Sequence, residues 1–168
     1  MWRWMARRSG RWYALRGGIE CWHQVLKGVC KVEHRQMKSM QALERALALD
    51  MIVASRVLLL NRLGKEHPEL PAELVYTPDE LEVLEVKQLE VLEVKKKEGG
   101  KDPPSQKLTV LQANILTAML AGFWGRAGDG HPGAQILAEG LQVLQALVWY
   151  KRQCEKRARE HRRRGGPT

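Results

Sequence analysis

Residues 134–148 read Ala134-Gln135-Ile136-Leu137-Ala138-Glu139-Gly140-Leu141-Gln142-Val143-Leu144-Gln145-Ala146-Leu147-Val148. Leu137, Leu141, Leu144 and Val148 recur at intervals of four, three and four. At 3.6 residues per turn they fall on one helical seam, with Ile136, Val143, Leu147 and Cys154 beside it. This wide apolar face predicts a helix from near Pro132 to about Glu160. Two things could cover the seam: the core of the chain itself, or a second protomer.

Working outward, Pro and Gly clusters divide the rest of the chain. A helix is predicted from about Arg11 to Val29. A strongly apolar one follows from about Ser39 to Leu63, with Gly64 as its C′ stop. Pro68 and Pro71 mark a linker. Thr77-Pro78-Asp79-Glu80 has the form of a helix start: Thr77 caps, Pro78 suits the first helical position and Glu80 completes a capping box. Leu81-Glu82-Val83-Leu84-Glu85-Val86-Lys87 then recurs as Leu89 to Lys95. A period of eight fits neither a heptad nor a solenoid unit, so it reads as a local duplication that lengthens a helix or hairpin arm, with no chemistry implied. Gly99 to Pro104 is a loop, Leu108 to Gly122 a helix, and Gly125 to Gly133 a second loop. The tail from His161 to Thr168 reads as frayed. No segment alternates with period two, so the predicted fold class is all-α.

The chain has 168 residues, 44% of them hydrophobic, enough for a sizeable core. Its net charge of +9 points to a polyanionic partner, nucleic acid or an anionic surface. No apolar run is long enough to span a membrane, and the segment from Met1 to Arg8 lacks the apolar stretch of a secretory signal. Trp2, Trp4 and Trp12 lie among arginines but without the amphipathic period of a membrane-active arm. Three cysteines, Cys21, Cys30 and Cys154, suit a reducing compartment and no disulfide framework. Cys21, His23, Cys30 and His34 are zinc-ligand types. However, Cys21 and His23 point to opposite sides of a helix and cannot share one ion, so a core or interface role fits the cysteines better.

A second stripe carries polar groups. Tyr13, Arg16, Glu20 and Lys27 fall within an arc of roughly 60° on a helix, and the apolar residues Leu15, Ile19, Trp22, Val25, Leu26 and Val29 gather about 150° away. Two cations, an aromatic hydroxyl and a carboxylate on one face suit phosphodiester chemistry. Arg16 and Lys27 can hold phosphates, Glu20 can hold a divalent cation such as Mg²⁺, and Tyr13 can donate to a phosphate or stack on a base. The plainer reading is a solvated face with an Arg16–Glu20 salt bridge.

The spacing Tyr13-x2-Arg16-x3-Glu20-x6-Lys27 resembles the signature of transposases of the transposon-five type, the insertion-sequence-four group. Further landmarks follow in the same order: Val32-Glu33-His34-Arg35-Gln36-Met37, Leu43-Glu44-Arg45, Thr77-Pro78-Asp79-Glu80, Ala121-Gly122-Phe123 and Glu139-Gly140. The likeness covers roughly residues 12–155. It implies that Glu20 is the third carboxylate of an Asp-Asp-Glu site for Mg²⁺ or Mn²⁺. It also implies that Tyr13, Arg16 and Lys27 contact transposon-end DNA, and that a C-terminal helical domain pairs two protomers, with Leu137, Leu141, Leu144 and Val148 as the pairing seam. On that likeness, residues 1–10 are a basic Trp-rich arm and residues 11–64 the end of a catalytic core of RNase H-like type. Residues 65–77 are a linker, residues 78–160 the dimerisation domain and residues 161–168 a basic tail. A cytoplasmic, nucleoid-associated bacterial location goes with it.

The sequence departs from that family at two points. No Asp precedes Glu20; Asp50, Asp79, Asp102 and Asp129 all follow it. One carboxylate cannot hold a two-metal site, so the chain alone is expected not to cut DNA. Gly17-Gly18 also stands where the family has larger residues, and each glycine costs about 1 kcal/mol relative to alanine inside a helix, which predicts a frayed or kinked motif helix. The leading expectation is a C-terminal portion of a cut-and-paste transposase confined to DNA-end binding and pairing. A stand-alone inhibitor forming heterodimers with intact transposase is the alternative, and a basic nucleic-acid-binding protein unrelated to transposition is a third.

Overall fold

Ser39 opens the longest apolar helix in an extended conformation, and its hydroxyl accepts a hydrogen bond from the Ala42 N–H at 3.2 Å. In the computed structural model, which describes residues 16–97, 107–126 and 128–164, this helix, α2, runs Met40–Glu66. Before it, α1 is helical over 16–24 and passes directly into a π turn at Val25–Val29, where the Cys30 N–H reaches the Val25 carbonyl at 3.0 Å. Lys31 then adopts a left-handed conformation at φ 50° and ends the segment, a role more often given to glycine. Helix α3 is Pro78–Lys97, α4 is Val110–Leu120 and α5 is Ala134–Arg164. The chain is all-α: among the described residues the only extended pairing is an isolated bridge between Pro71 and Thr109.

Helix α5 is the hub, packing on α2, α3, α4 and the π turn. Leu137, Leu141, Leu144 and Val148 meet Val57 and Leu60 of α2, Leu84 of α3, Leu116 of α4 and Val25 and Leu26 of the π turn in one core. At about 25 cal/mol per Å² of apolar surface, burying such side chains contributes about 1.5–3 kcal/mol each. Gly140 permits the tight α4–α5 crossing, since a Cβ there would lie 2.1 Å from the Thr117 carbonyl oxygen.

Several boundaries differ from the sequence expectation, each for a physical reason. Gly64 does not stop α2. It is buried inside the helix, where a Cβ would stand 2.2 Å from His131 and 2.5 Å from Asn114; a close approach of α4 and the loop before α5 demands the glycine, not a left-handed cap. Helix α4 starts later than Leu108, because Thr109 and Gln112 form a reciprocal capping box at 3.3 and 3.0 Å. The last helix does not fray at His161 but continues through Arg164. The segment read as a linker at Pro68 and Pro71 is pinned: the Ala72 N–H reaches Leu108, the Val110 N–H reaches Leu70, and Ala72 and Tyr76 are buried.

The repeated octets both lie on the single helix α3. Eight residues advance a helix by about 80° beyond whole turns, so equal letters take unequal places. Leu84 is wholly buried while its counterpart Leu92 is half-buried, and Leu81 is half-buried while its counterpart Leu89 is exposed. The 1–10 arm, Tyr13, the Gly99–Pro104 loop with Asp102, and residues 165–168 lie outside the described residues.

Candidate functional site

The motif helix stands on the flank of α2. Val25 and Leu26 anchor it in the core, and the Trp22 indole N–H donates to Ser55 Oγ at 3.2 Å. Gly17 and Gly18 sit within the helical stretch. A Cβ at Gly18 would lie 2.7 Å from Arg62 Nη2, so the bare glycine admits an α2 cation beside the motif. Arg16 Nε donates to Glu20 Oε1 at 3.0 Å, with both side chains about two-thirds exposed. Arg16, Glu20 and Arg62 together border an open cleft of about 640 Å³, with Ile19, Trp22 and Leu58 as its apolar walls.

Lys27 lies in the π turn, which winds more loosely than the 100° per residue used to draw the stripe. Its ammonium pairs with Glu33 at 2.7 Å, and that hydrogen bond and charge hold the Glu33 carboxyl below the usual range. The structure thus brings Arg16 and Glu20 together, adds Arg62, and gives Lys27 a partner of its own. Arg62 carried no signal in the sequence, because only the packing of α1 on α2 makes it a neighbour. Among the described residues no group of three His, Cys, Asp or Glu side chains converges. Glu20 alone does not make a divalent-cation site, and no metal-dependent step is assigned to it.

The seam expected to pair protomers needs correcting. Leu137 and Leu144 are 0% exposed, Leu141 is 5% and Val148 is 4% exposed. All four are consumed by the core and cannot also face a partner. A second row on α5 remains outside. Val143, Leu147, Tyr150 and Cys154 repeat at the same four-three-four intervals, about 120° around the helix from the buried seam. Val143 and Leu147 are 38% and 39% exposed, Tyr150 is 65% exposed, and Cys154 is exposed. Leu147 also helps form an open groove of about 510 Å³ with Val83, Val86 and Leu120, rimmed by Glu82, Lys87, Glu90 and Lys151.

A buried polar clamp fixes the helices that present this row. Arg56 of α2 donates to both oxygens of Glu80 at 2.9 and 2.8 Å, Glu80 accepts from the Thr77 N–H at 2.8 Å, and Gln145 of α5 also donates to Glu80. Burial pushes the Glu80 carboxyl up, but these hydrogen bonds outweigh it and hold the group below the usual glutamate range. Beside it, Tyr76 donates to Asn114 at 2.8 Å and accepts from Thr117 at 3.2 Å, and burial drives its phenol well above the ordinary value. Asn114 in turn donates to the Leu60 carbonyl at 2.7 Å. Outside the clamp, Asp79 binds Arg152 and Lys151, and its carboxyl is held low chiefly by the Arg152 hydrogen bond.

The described residues define an all-α module in which one long helix displays an unused apolar row. Residues 52–161 match the family model described as "Transposase Tn5 dimerisation domain", and the chain belongs to that family. The match begins within α2 and takes in α3, α4 and nearly all of α5, so it spans both the clamp and the exposed row. A comparison with curated proteins gave no match. Among the described residues no helix is long and apolar enough to cross a membrane.

Proposed function

We propose that the chain is the pairing module of a cut-and-paste DNA transposase, joining two protomers through the exposed row Val143, Leu147, Tyr150 and Cys154. The observation that carries this reading is an apolar row on α5, inside the span of a dimerisation family, that the chain's own core leaves uncovered. In the same reading Tyr13, Arg16 and Lys27 hold the phosphates of a transposon end. Glu20 is one ligand of a Mg²⁺ or Mn²⁺ site whose other carboxylates come from outside the described residues. An intact transposase bearing the same row would pair with this chain equally well, so the inhibitor reading uses the same surface.

Light scattering tests the pairing. The unmodified chain should have the mass of a dimer, and Leu147→Glu with Tyr150→Glu should halve it while the melting temperature holds. A monomeric parent chain, or a variant that stays dimeric, sinks the reading. For the DNA arm, binding to a transposon-end duplex should weaken steeply with salt, Arg16→Ala with Lys27→Ala should reduce that binding, and Glu20→Gln should leave it nearly unchanged.

A further inference from the structure

Beyond the core, α5 continues as a helix on its own. From Cys154 to Arg163 every side chain is exposed, a stretch of about 15 Å. Arg152, Lys156, Arg159 and Arg163 recur here at intervals of four, three and four, within an arc of roughly 60°. With Glu155 and Glu160 they line a groove of about 420 Å³ along the helix, in which the four cations outnumber the two carboxylates. Arg152 is held by Asp79 at 2.5 Å, which fixes the start of the row against α3. Among the described residues, Lys156, Arg159 and Arg163 enter no ion pair. The row lies about 180° around the helix from Val143, Leu147, Tyr150 and Cys154, so pairing through that apolar row leaves the cations open.

Two bland uses fail to account for the row. Cations do stabilise a helix C-terminus, but that effect fades within the last turn and does not explain Arg152, Lys156 or Arg159. A membrane surface would need apolar side chains along the whole row; the exposed Trp149 lies one turn before Arg152, but between Glu155 and Arg163 the sole apolar residue is Ala158. From Lys156 to Arg163, cations without large apolar neighbours match what a phosphate backbone asks for.

We propose that Lys156, Arg159 and Arg163, aligned by Arg152, form a docking surface for the phosphate backbone of a nucleic-acid duplex, separate from the Arg16–Lys27 face. It rests on the reading that the partner is DNA. In a pair of protomers joined by the apolar row, each protomer would carry one such surface turned outward. Contacts of this kind read no sequence, so the surface adds affinity and orientation while specificity lies elsewhere.

The test uses the full chain with Lys156→Gln, Arg159→Gln and Arg163→Gln, titrated with a random-sequence duplex by fluorescence anisotropy over a range of salt. Removing one cation from a phosphate should reduce the slope of log affinity against log salt by about 0.9, so the triple variant should be shallower by about 2–3 and at least roughly tenfold weaker at low salt. Lys156→Arg should bind as the parent does. Unchanged slope and affinity in the triple variant overturn the proposal. So does loss of binding to phosphatidylserine vesicles while duplex binding stays, which would assign the row to a membrane. Scattering mass keeps the two readings apart. Leu147→Glu with Tyr150→Glu reports on pairing alone, whereas a fall in mass for the triple variant would place the cations in the pairing face and overturn their role as a DNA surface.

Discussion

Two Arg–Glu pairs in this chain use the same chemistry under opposite conditions. Arg16 and Glu20 are one turn apart on α1, both about two-thirds exposed. Arg56 and Glu80 are 24 residues apart, join α2 to α3, and leave Glu80 only 1% exposed. Water and salt screen the first pair, which holds the fold by about 0.3–0.5 kcal/mol. The second is forked and shared with Thr77 and Gln145, and although Arg56 is 32% exposed, losing it strands the buried Glu80 charge. The carboxylate that matters least to stability is therefore the one available for ligands, and the one that matters most is closed to them.

The largest effect should come from breaking the buried pair on one side. Arg56→Ala should cost about 3–5 kcal/mol in urea denaturation, because Glu80, 1% exposed, would be left as a buried carboxylate without its cation. Replacing both partners, Arg56→Met with Glu80→Leu, should recover most of that loss, since two apolar side chains leave no orphan charge. A single-variant cost under about 1 kcal/mol would mean that the two pairs do not differ in kind.

Acid sharpens the same contrast. The folded Glu80 carboxyl titrates below its unfolded value, so the unfolded chain takes up the proton first as pH falls. Its contribution is fully present above the unfolded glutamate value of about 4.3 and is lost as pH drops through the lower folded value. Thermal melts from neutral to acidic pH should show this loss in the parent chain. The profile should flatten in Glu80→Gln. A profile as steep in Glu80→Gln as in the parent would remove Glu80 as the acid-sensitive group.

Two helical glycines repeat the comparison in packing. Gly64→Ala pushes a methyl into His131 and Asn114 and should cost about 1–3 kcal/mol, whereas nothing lies within 4 Å of a Cβ at Gly17. Gly17→Ala should therefore stabilise by up to about 1 kcal/mol. If Gly64→Ala is neutral by chemical denaturation, the crossing of α2 and α4 is looser than the geometry states.

These pairs also show what was legible in the sequence. Spacing along one helix revealed the all-α class, the Arg16–Glu20 turn and the Leu137–Val148 seam, but not the exposed row from Val143 to Cys154 as a face of its own. It could not say what covers a face. The leucine seam therefore read equally as core or interface, and the structure places it in the core, with the free row one-third of a turn away. Long-range partners left no local trace. Thr77-Pro78-Asp79-Glu80 announced a helix start, and the Thr77 N–H does bind Glu80, but nothing nearby pointed to Arg56. Gly64 looked like a terminator because a glycine after a long apolar run usually is one; its real reason, His131, lies far along the chain. Arg62 reached the motif cleft by the same kind of packing.

The smallest expected effect is the most telling for function. Glu20→Ala removes one exposed i,i+4 pair and should cost no more than about 0.3–0.5 kcal/mol, a difference that about 1 M salt should erase by screening. A double-variant cycle with Arg16→Ala, run by urea denaturation at low and high salt, measures it. A coupling that small leaves the Glu20 carboxylate free to trade Arg16 for a cation or a phosphate-bound water at little cost to the fold. A coupling near 2 kcal/mol that survives high salt would instead mark the pair as a structural strut, well above the roughly 1 kcal/mol ceiling of exposed pairs. The motif would then be held by the same kind of bond that closes Glu80, with no carboxylate to spare for chemistry.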